Sequence, residues 1–240
     1  MNFNYLIRPI QMRRDLHEQY RGVFKKYLPT NAVVYDVGCG QKPFKAFLAD
    51  KVKVHVGVDL ADGFYQPDQV DLIGTAYDVP AADGVADVVI LSEVIEHLET
   101  PLLAMREAHR LLRVDGLVFL SCPFLYPIHA PPRDFLRYTE YYLSHHLTES
   151  GFEVVDTIRL GGYWYLSGMN VAMYLNDIDR GPLRTIGVLK LMALLAGMAC
   201  GAMHALEGMF LRAAGKDVAS MRAKWTMNYL TVFRKIDPVK

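Results

Sequence analysis

The chain has 240 residues, 52% of them hydrophobic, and its 26 basic residues balance 26 acidic ones. This length suits one elaborated α/β domain, and the balanced charge excludes a global field that would attract nucleic acid or an anionic membrane. The three cysteines, Cys39, Cys122 and Cys200, have no paired spacing, which favours a reducing compartment over a disulfide framework. The first residues do not resemble a signal peptide, so we expect a cytoplasmic protein.

Short β-branched runs alternate along the chain with longer stretches of helical periodicity. We predict helices over 11–28, 101–113 and 139–150, the second beginning with Pro101 in its first turn. The predicted strands are 33–37, 54–59, 70–74, 87–92, 116–121, 153–158 and 228–235. This alternation is typical of a parallel sheet covered by helices on both faces.

This pattern predicts that the chain is divided into four segments. Residues 1–30 form an N-terminal helical lid, 31–160 the sheet-bearing core, 161–227 an apolar helical insertion, and 228–240 a closing strand and tail. The lid interpretation rests on four polar or aromatic residues, for which an ordinary solvated face is an equal alternative: Arg13, Arg14, His17 and Tyr20.

The insertion contains an apolar helix over 186–211. Its longest uncharged stretch, Leu191 to Met203, is shorter than the roughly 20 residues of a membrane span. A single crossing would also place strands 153–158 and 228–235 on opposite sides of a membrane. Small residues recur every four positions, at Ala193, Gly197, Gly201 and Ala205. We expect protein packing along that stripe, and leave open contact with a membrane surface or a lipid-like substrate.

The first strand runs into a glycine loop, VYDVGCGQKPF over 34–44. Such a loop after the first strand of an α/β sheet presents backbone N–H groups to a ligand. A dinucleotide fingerprint needs a third glycine where Pro43 stands, and the charge of Asp36 would repel a pyrophosphate. The loop therefore favours a cofactor without phosphate and with positive charge, while a simple tight turn is the alternative.

Two acids follow the next strands. Asp59 comes about 20 residues after the loop, the spacing of a carboxylate that binds ribose hydroxyls. Asp78 follows the third strand and could meet an adenine edge together with a backbone N–H. Because the carboxyl ends of parallel strands share one sheet edge, we expect these acids near the glycine loop.

These motifs resemble the class I S-adenosylmethionine (SAM)-dependent methyltransferases, and among them the type 11 small-molecule group. The matching stretches are VYDVGCG, VGVDL, YDVPAADGVADVVILSEVIEHLETP and LLRVDGLVFLSCP. The resemblance implies a Rossmann-like, doubly wound seven-stranded sheet of order 3-2-1-4-5-7-6 with the last strand antiparallel. It implies SAM as cofactor, bound by Asp36, Gly38, Cys39, Gly40, Asp59, Leu60, Asp78, Val79, Ser92 and Glu93.

A proline-rich stretch, 123–138, follows the fifth strand, where the acceptor of the methyl group should bind. His129 has a pKa suited to a general base, and Asp134 could orient it; His97 is the rival base. A structural loop, with Asp134 and Arg137 paired, is the alternative. The expected substrate contacts are Tyr126, Arg137, Tyr138, Tyr163 and Trp164. We expect no metal site, since His145 and His146 lie in an amphipathic helix.

The sequence thus predicts a SAM-dependent methyltransferase, with oxygen of a sugar-containing or lipid-linked small molecule as the expected acceptor. The H-x4-D-x2-RYT pattern at His129 is similar to that of type 11 relatives associated with cell-surface glycans. Peripheral contact with the inner membrane face through 186–211 stays open, and so does a homodimer. A nicotinamide-dependent oxidoreductase and a non-catalytic partner subunit of the same fold are the alternatives.

Overall fold

The computed structural model describes residues 9–61, 69–179 and 187–236, without the side chains of 9–14. Its strands are β1 Ala32–Val37, β2 Val52–Asp59, β3 Leu72–Ile73, β4 Ala86–Ser92, β5 Leu112–Pro123, β6 Phe152–Gly161 and β7 Thr226–Lys235. Its helices are α1 Pro9–Tyr27, α2 Lys45–Leu48, α3 Pro101–Leu111, α4 Glu140–Glu149, α5 Tyr163–Asp177, α6 Val188–Ala213 and α7 Val218–Ala223, with a 3₁₀ turn at Ile95–His97.

All seven strands form one sheet in the order β3-β2-β1-β4-β5-β7-β6. The pairs β3–β2, β2–β1, β1–β4 and β4–β5 are parallel, and the last strand is antiparallel. The predicted fold class is therefore confirmed, including its strand order. Chain order reverses between β1 and β4, which makes their carboxyl ends the switch point where α/β sheets bind ligands.

The centre of the sheet is apolar because β4 and β5 are covered on both faces. Val88, Ile90 and Leu120 have no measurable exposure. Such continuous apolar runs are typical of parallel strands under helices. Local signals begin the neighbouring helices: Pro101 opens α3, and the Thr139 hydroxyl accepts a hydrogen bond from the Tyr142 N–H at the start of α4. The rigid sheet fixes where its loops begin.

The chain divides into two compact units. The sheet unit holds Gln19–Ile158 and the chain from Tyr229, and the helical unit holds Arg159–Asn228 with the chain up to Glu18. The helical unit contains α5, α6 and α7, of which the sequence predicted α6 alone, over 186–211.

Tyr20 does not belong to an exposed lid. Its side chain is fully buried, and its ring centroid lies 5.6 Å from that of Phe24 and 4.5 Å from that of Phe44. Burial raises the pKa of the Tyr20 hydroxyl well above its usual value. The side chains of Arg13 and Arg14, which the lid interpretation also used, lie outside the described part of the chain. Tyr20 is thus a core residue that joins α1 to the glycine loop.

Helix α6 is more exposed than the sequence suggested. Apart from Ala193 and Gly208, no residue in it is buried. A Cβ atom at Gly197 or Gly201 would meet nothing within 4 Å, whereas one on Gly168 of α5 would lie 2.8 Å from Cys200 Cβ. The close contact between helices therefore uses Gly168 and not the predicted small-residue stripe, most of which faces outward in the part of the chain that the structure describes.

Candidate cofactor and acceptor site

A cavity of about 360 Å³ opens at the carboxyl end of β1, β2 and β4. It lies wholly in the sheet unit, and its size is within the range of small-molecule sites. We call it the cofactor cavity. It is lined by Gly38, Asp59, Leu60, Gly74, Ala76, Glu93, Val94, His97, Leu98, Ala130, Pro131, Pro132 and Arg133. Five of the predicted site residues thus share one cavity wall: Gly38, Asp59, Leu60, Glu93 and His97.

Gly38 shapes the floor of the cavity. Its φ of 72° is in the left-handed region, and a Cβ atom there would lie 2.6 Å from Val94 Cγ2. Only glycine permits both the backbone conformation and this close approach. The helix that follows the loop, α2, has four residues and begins only at Lys45. The loop therefore lacks the long helix N-terminus that holds a pyrophosphate in dinucleotide sites.

Asp59 connects the glycine loop to the end of β2. One carboxylate oxygen, Oδ2, accepts a hydrogen bond from the Gly40 N–H at 2.7 Å, and Oδ1 accepts one from the Leu60 N–H at 2.7 Å. Each oxygen keeps a further lone pair, because a carboxylate accepts about four hydrogen bonds. Asp59 can therefore hold the loop and still accept both hydroxyls of a ribose.

Other predicted cofactor residues support the cavity without lining it. Asp36 is buried, and its Oδ2 lies 3.0 Å from His55 Nε2. The Cys39 side chain is also buried, which raises the pKa of its thiol to about 12. Asp78 forms a backbone pair with Thr75 and is exposed. Asp36 and Cys39 are therefore buried beside the glycine loop and do not line the cavity.

The Val79 N–H is not free for an adenine edge. It donates to Glu107 Oε1 at 2.7 Å, and Arg110 Nη2 donates to the same oxygen at 2.6 Å. These two bonds, Arg110 first, lower the pKa of Glu107. Val79 itself is buried. The predicted adenine contact through this N–H is therefore replaced by an internal hydrogen bond.

Glu93 and Ser92 stand where β4 ends. Glu93 has a φ of 57°, an uncommon value for a residue other than glycine, and its Oε1 accepts a hydrogen bond from Ser121 Oγ at 2.7 Å. The Ser92 and Ser121 hydroxyls lie 3.4 Å apart. The left-handed turn at Glu93 brings that residue to the cavity wall, whereas Ser92 is not among the lining residues.

The imidazoles of His97 and His129 meet where the loop after β5 reaches the cavity, with ring centroids 4.9 Å apart. His97 Nδ1 donates to the backbone oxygen of Arg133, which leaves Nε2 with a lone pair. Burial is the main cause that lowers the pKa of His129, although the nearby Asp134 carboxylate acts in the opposite direction. Both predicted bases are thus brought together, and His129 is neutral at pH 7.

Asp134 and Arg137 hold the loop that carries His129. The Asp134 carboxylate accepts from the His129 backbone N–H at 2.8 Å and from both terminal nitrogens of Arg137, at 2.5 and 2.9 Å. Arg137, above all, lowers the pKa of Asp134 to about 2. Arg137 also donates to the backbone oxygens of Tyr126 and Pro127. Asp134 and Arg137 are therefore positioning residues, as in the structural alternative raised from the sequence.

Three expected substrate contacts have other surroundings. Tyr138 is buried, and its hydroxyl donates to the Ile95 backbone oxygen at 3.1 Å, so it anchors the 3₁₀ turn and offers no surface to a substrate. Tyr163 and Trp164 belong to α5 in the helical unit and do not line the cofactor cavity. Tyr126 stays beside the site, with its ring 5.1 Å from that of His129.

A family model described as a methyltransferase domain matches residues 35–120, which span β1 to β5 and most of the cavity wall. Over residues 35–120 the chain is similar to class I SAM-dependent methyltransferase domains. S-adenosylmethionine is the cofactor of such a domain. The residues present fit it: a glycine floor that a Cβ would fill, an acid at Asp59 with lone pairs left for hydroxyl donors, and a carboxylate at Glu93 suited to a cationic cofactor. The family match also argues against the nicotinamide alternative.

Solved structures share the fold at low identity. The 1,6-didemethyltoxoflavin-N1-methyltransferase of Burkholderia thailandensis, with 1,6-didemethyltoxoflavin and S-adenosylhomocysteine bound, is 15% identical, with a TM-score of 0.55 over 95% of this chain and 84% of its own. A Bacillus halodurans protein described as a methyltransferase is 16% identical, with a TM-score of 0.55 over 91% and 100%. The [4+2]-cyclase SpnF is 15% identical, with a TM-score of 0.56 over 91% and 80%. No curated protein matches the chain.

Sequence reasoning missed Glu96. Its side chain is fully buried, and neither carboxylate oxygen has a hydrogen-bond partner within the described residues. Burial first, and then the charge of Glu93, raise the pKa of Glu96 well above its usual value. The stretch EVIEHL contains the signal, since a charged residue between apolar ones and next to a histidine is unusual in a buried turn. The sequence does not show that Glu96 lies near His129, because His129 comes from a distant part of the chain.

Proposed function

We propose that the protein transfers the methyl group of SAM to a hydroxyl oxygen of a small molecule that contains a sugar or is linked to a lipid. The observation that supports a hydroxyl acceptor is the imidazole pair, with His97 on the cavity wall and the His129 ring centroid 4.9 Å from that of His97; the sugar or lipid link comes from the sequence pattern at His129. Methyl transfer to a hydroxyl needs a group that takes up the proton, and a neutral imidazole does so near neutral pH.

The reaction requires little else from the protein. The acceptor oxygen, the methyl carbon and the sulfur must lie in line, and a rigid sheet edge supplies that alignment. The oxygen–methyl bond forms as the methyl–sulfur bond breaks, S-adenosylhomocysteine leaves, and His129 Nε2 takes the hydroxyl proton. Asp134 and Arg137 hold the His129 loop in place for this step.

Calorimetric titration of the purified protein with S-adenosylhomocysteine, and with NAD as the control ligand, tests the cofactor part. Binding of the first and not of the second supports the proposal. Binding of neither would favour the non-catalytic partner subunit. The acceptor is then sought by mass spectrometry, as a methylated metabolite that disappears when the chain is deleted from its host. A product methylated on nitrogen or carbon would refute the choice of oxygen.

We also propose that α6 contacts the inner face of a membrane from the cytoplasm. The helix has 26 residues with a hydropathy of 1.6, only 6% of its most apolar window is buried, and by length and composition alone it could cross a bilayer. A single crossing conflicts with the sheet, because β6 and β7, which flank it in the chain, are neighbours there. The accompanying helix α5 has 15 residues, about 22 Å, which is too short to return across.

Contact with one leaflet would cover the apolar surface of α6 and still keep β6 and β7 on the same side of the membrane. The exposed apolar side chains that would enter the lipid interface are Leu191, Met192, Leu194, Leu195, Met198, Met203, Leu206, Met209 and Phe210. Sedimentation with neutral phosphatidylcholine vesicles tests this contact. We expect the protein in the pellet and a variant with Leu195→Glu and Met198→Glu in the supernatant. Recovery of the unmodified protein in the supernatant would refute membrane contact.

A further inference from the structure

Glu96, His97 and His129 form a compact group beside the cofactor cavity, which we call the Glu96 trio. One ligand atom from each residue lies within 4.8 Å of the others. The His97 Nε2 atom is 3.7 Å from Glu96 Oε1, and the His129 Nε2 atom is 4.0 Å from the same oxygen. These distances are too long for hydrogen bonds, so the three side chains face a common point without bonding to one another.

The buried carboxylate is the independent sign that something occupies this point. Glu96 is fully buried, and both its oxygens lack hydrogen-bond partners among the described residues. Burying an unpaired carboxylate is strongly unfavourable, so buried carboxylates are paired, protonated or bound to a metal. The charge of the nearby Glu93 makes the environment still more favourable for a cation. Arg137 is the compensating charge nearby, and its guanidinium is bonded to Asp134.

We propose that the Glu96 trio binds one divalent cation of the zinc type. Two imidazoles and one carboxylate, with a fourth position left to water or substrate, are the ligand set of catalytic zinc sites. Imidazole nitrogens suit zinc and its transition-metal neighbours better than magnesium or calcium, which prefer oxygen ligands. Tetrahedral bonds of about 2.1 Å place ligand atoms roughly 3.4 Å apart, so small side-chain rotations close the site.

The surroundings of both histidines fit this role. A metal-binding imidazole usually donates its other ring nitrogen to a carbonyl or carboxylate, which orients the ring. His97 Nδ1 donates in this way to the Arg133 backbone oxygen. His129 Nδ1 faces Asp134 Oδ2 at 3.5 Å and Arg137 Nη2 at 3.4 Å. Coordination through Nε2 requires the His129 tautomer with a proton on Nδ1, so Nδ1 must then donate to Asp134 and give up the hydrogen bond that it accepts from Arg137 Nη2.

This inference rests on the proposed function and changes how the acceptor hydroxyl is activated. The acceptor oxygen becomes the fourth ligand, and the cation lowers the pKa of its hydroxyl. The hydroxyl proton passes to solvent water, the oxygen–methyl bond forms, and the methyl–sulfur bond breaks to release S-adenosylhomocysteine. His129 is then a metal ligand, and the departure from the sequence-based expectation of no metal comes from Glu96.

The test measures Zn²⁺ binding directly. The full-length protein is stripped with EDTA, desalted and titrated with Zn²⁺ in competition with a chromophoric chelator. We expect one Zn²⁺ per chain, and affinities at least 10-fold weaker in Glu96→Gln and in His129→Ala. Glu96→Gln has nearly the shape of a protonated glutamate, and thermal unfolding checks that it folds. Binding should be unchanged in the double variant His145→Ala and His146→Ala, which removes the exposed His145, His146 and Glu149 cluster of α4.

Absence of saturable binding at one Zn²⁺ per chain would overturn the inference, and so would equal affinity in Glu96→Gln. If Zn²⁺ binding is lost in the α4 double variant but kept in the Glu96 and His129 variants, the ion binds the exposed cluster, and the inference is overturned as well. Titration with S-adenosylhomocysteine in EDTA separates the two proposals. If the cofactor binds but Zn²⁺ does not, the metal inference fails and the proposed function stands; if neither binds, both fail.

Discussion

The sheet unit and helix α6 contain the same kinds of apolar side chain, but the sheet unit buries them and α6 exposes them to solvent. In β4 and β5, Ile90 and Leu120 have no measurable exposure, whereas in α6 Leu195 is 55% and Met198 63% exposed. In the sheet, these side chains fill the core from which the site loops begin. In α6 they form a surface. Apolar composition alone therefore does not tell a core from a contact surface.

Truncation of one leucine in each region should show the largest contrast. Leu120→Ala leaves a cavity in the centre of the sheet and should reduce the free energy of unfolding by about 2–5 kcal/mol. Leu195→Ala removes an exposed side chain and should change it by less than about 0.5 kcal/mol. Urea unfolding followed by circular dichroism measures both. Similar losses in the two variants would mean that α6 is part of a core.

His129→Ala should reduce turnover roughly 100-fold, as expected for removal of a proton acceptor, while S-adenosylhomocysteine affinity stays the same. His145→Ala, an exposed histidine of α4, is the matched control. Near-normal turnover of the His129 variant would assign the role to His97 or to alignment alone.

His129 should also make both kcat/KM and stability depend on pH. Because burial lowers the pKa of His129 below the usual 6.5, the folded protein keeps a neutral imidazole at pH values where free histidine is already charged. We expect kcat/KM to decline only below pH 6.5. In that range the unfolded chain takes up a proton that the folded one resists, so stability should also fall. A decline that begins above pH 7 would contradict this assignment.

Asp59→Ala should weaken S-adenosylhomocysteine binding by about 1–3 kcal/mol, because ribose hydroxyls and the Gly40 N–H lose an acceptor. The control is Asp217→Ala in the helical unit, where Asp217 Oδ1 accepts a hydrogen bond from the Ala219 N–H and caps α7. That variant should lose about 1 kcal/mol of stability and keep its cofactor affinity. Calorimetry compares the two, and unchanged affinity in Asp59→Ala would refute the ribose assignment.

Glycine substitutions should give the smallest effects on stability, and the two regions should respond with opposite signs. Gly38→Ala places a Cβ against Val94 in left-handed backbone, at a cost of about 1–2 kcal/mol from the conformation alone. Gly197→Ala in α6 meets nothing within 4 Å and should stabilise the helix by about 0.5–1 kcal/mol. Thermal unfolding records both shifts. A stabilised Gly38→Ala would show that the loop does not need glycine.

Much of the fold was predictable because each signal is local. The alternation of β-branched runs and amphipathic helices predicted all seven strands, and the motif resemblance predicted their order. Gly38 and Asp59 were found for the same reason, since strand ends that share a sheet edge bring their loops together. Tyr20 and Tyr138 were misplaced because an aromatic ring with a hydroxyl suits a binding surface and a core equally well, and burial decides between them.

The sequence by itself determined the sheet, the glycine floor and the place of Asp59 beside that floor, because spacing along a strand and across a turn is set by backbone geometry. Only the tertiary structure decided that Glu96 is buried without a hydrogen-bond partner among the described residues and that His129, from the loop after β5, faces it across 4.0 Å. It also decided that α6 exposes its apolar side chains. Burial and long-range contact depend on how elements pack, which no local pattern encodes.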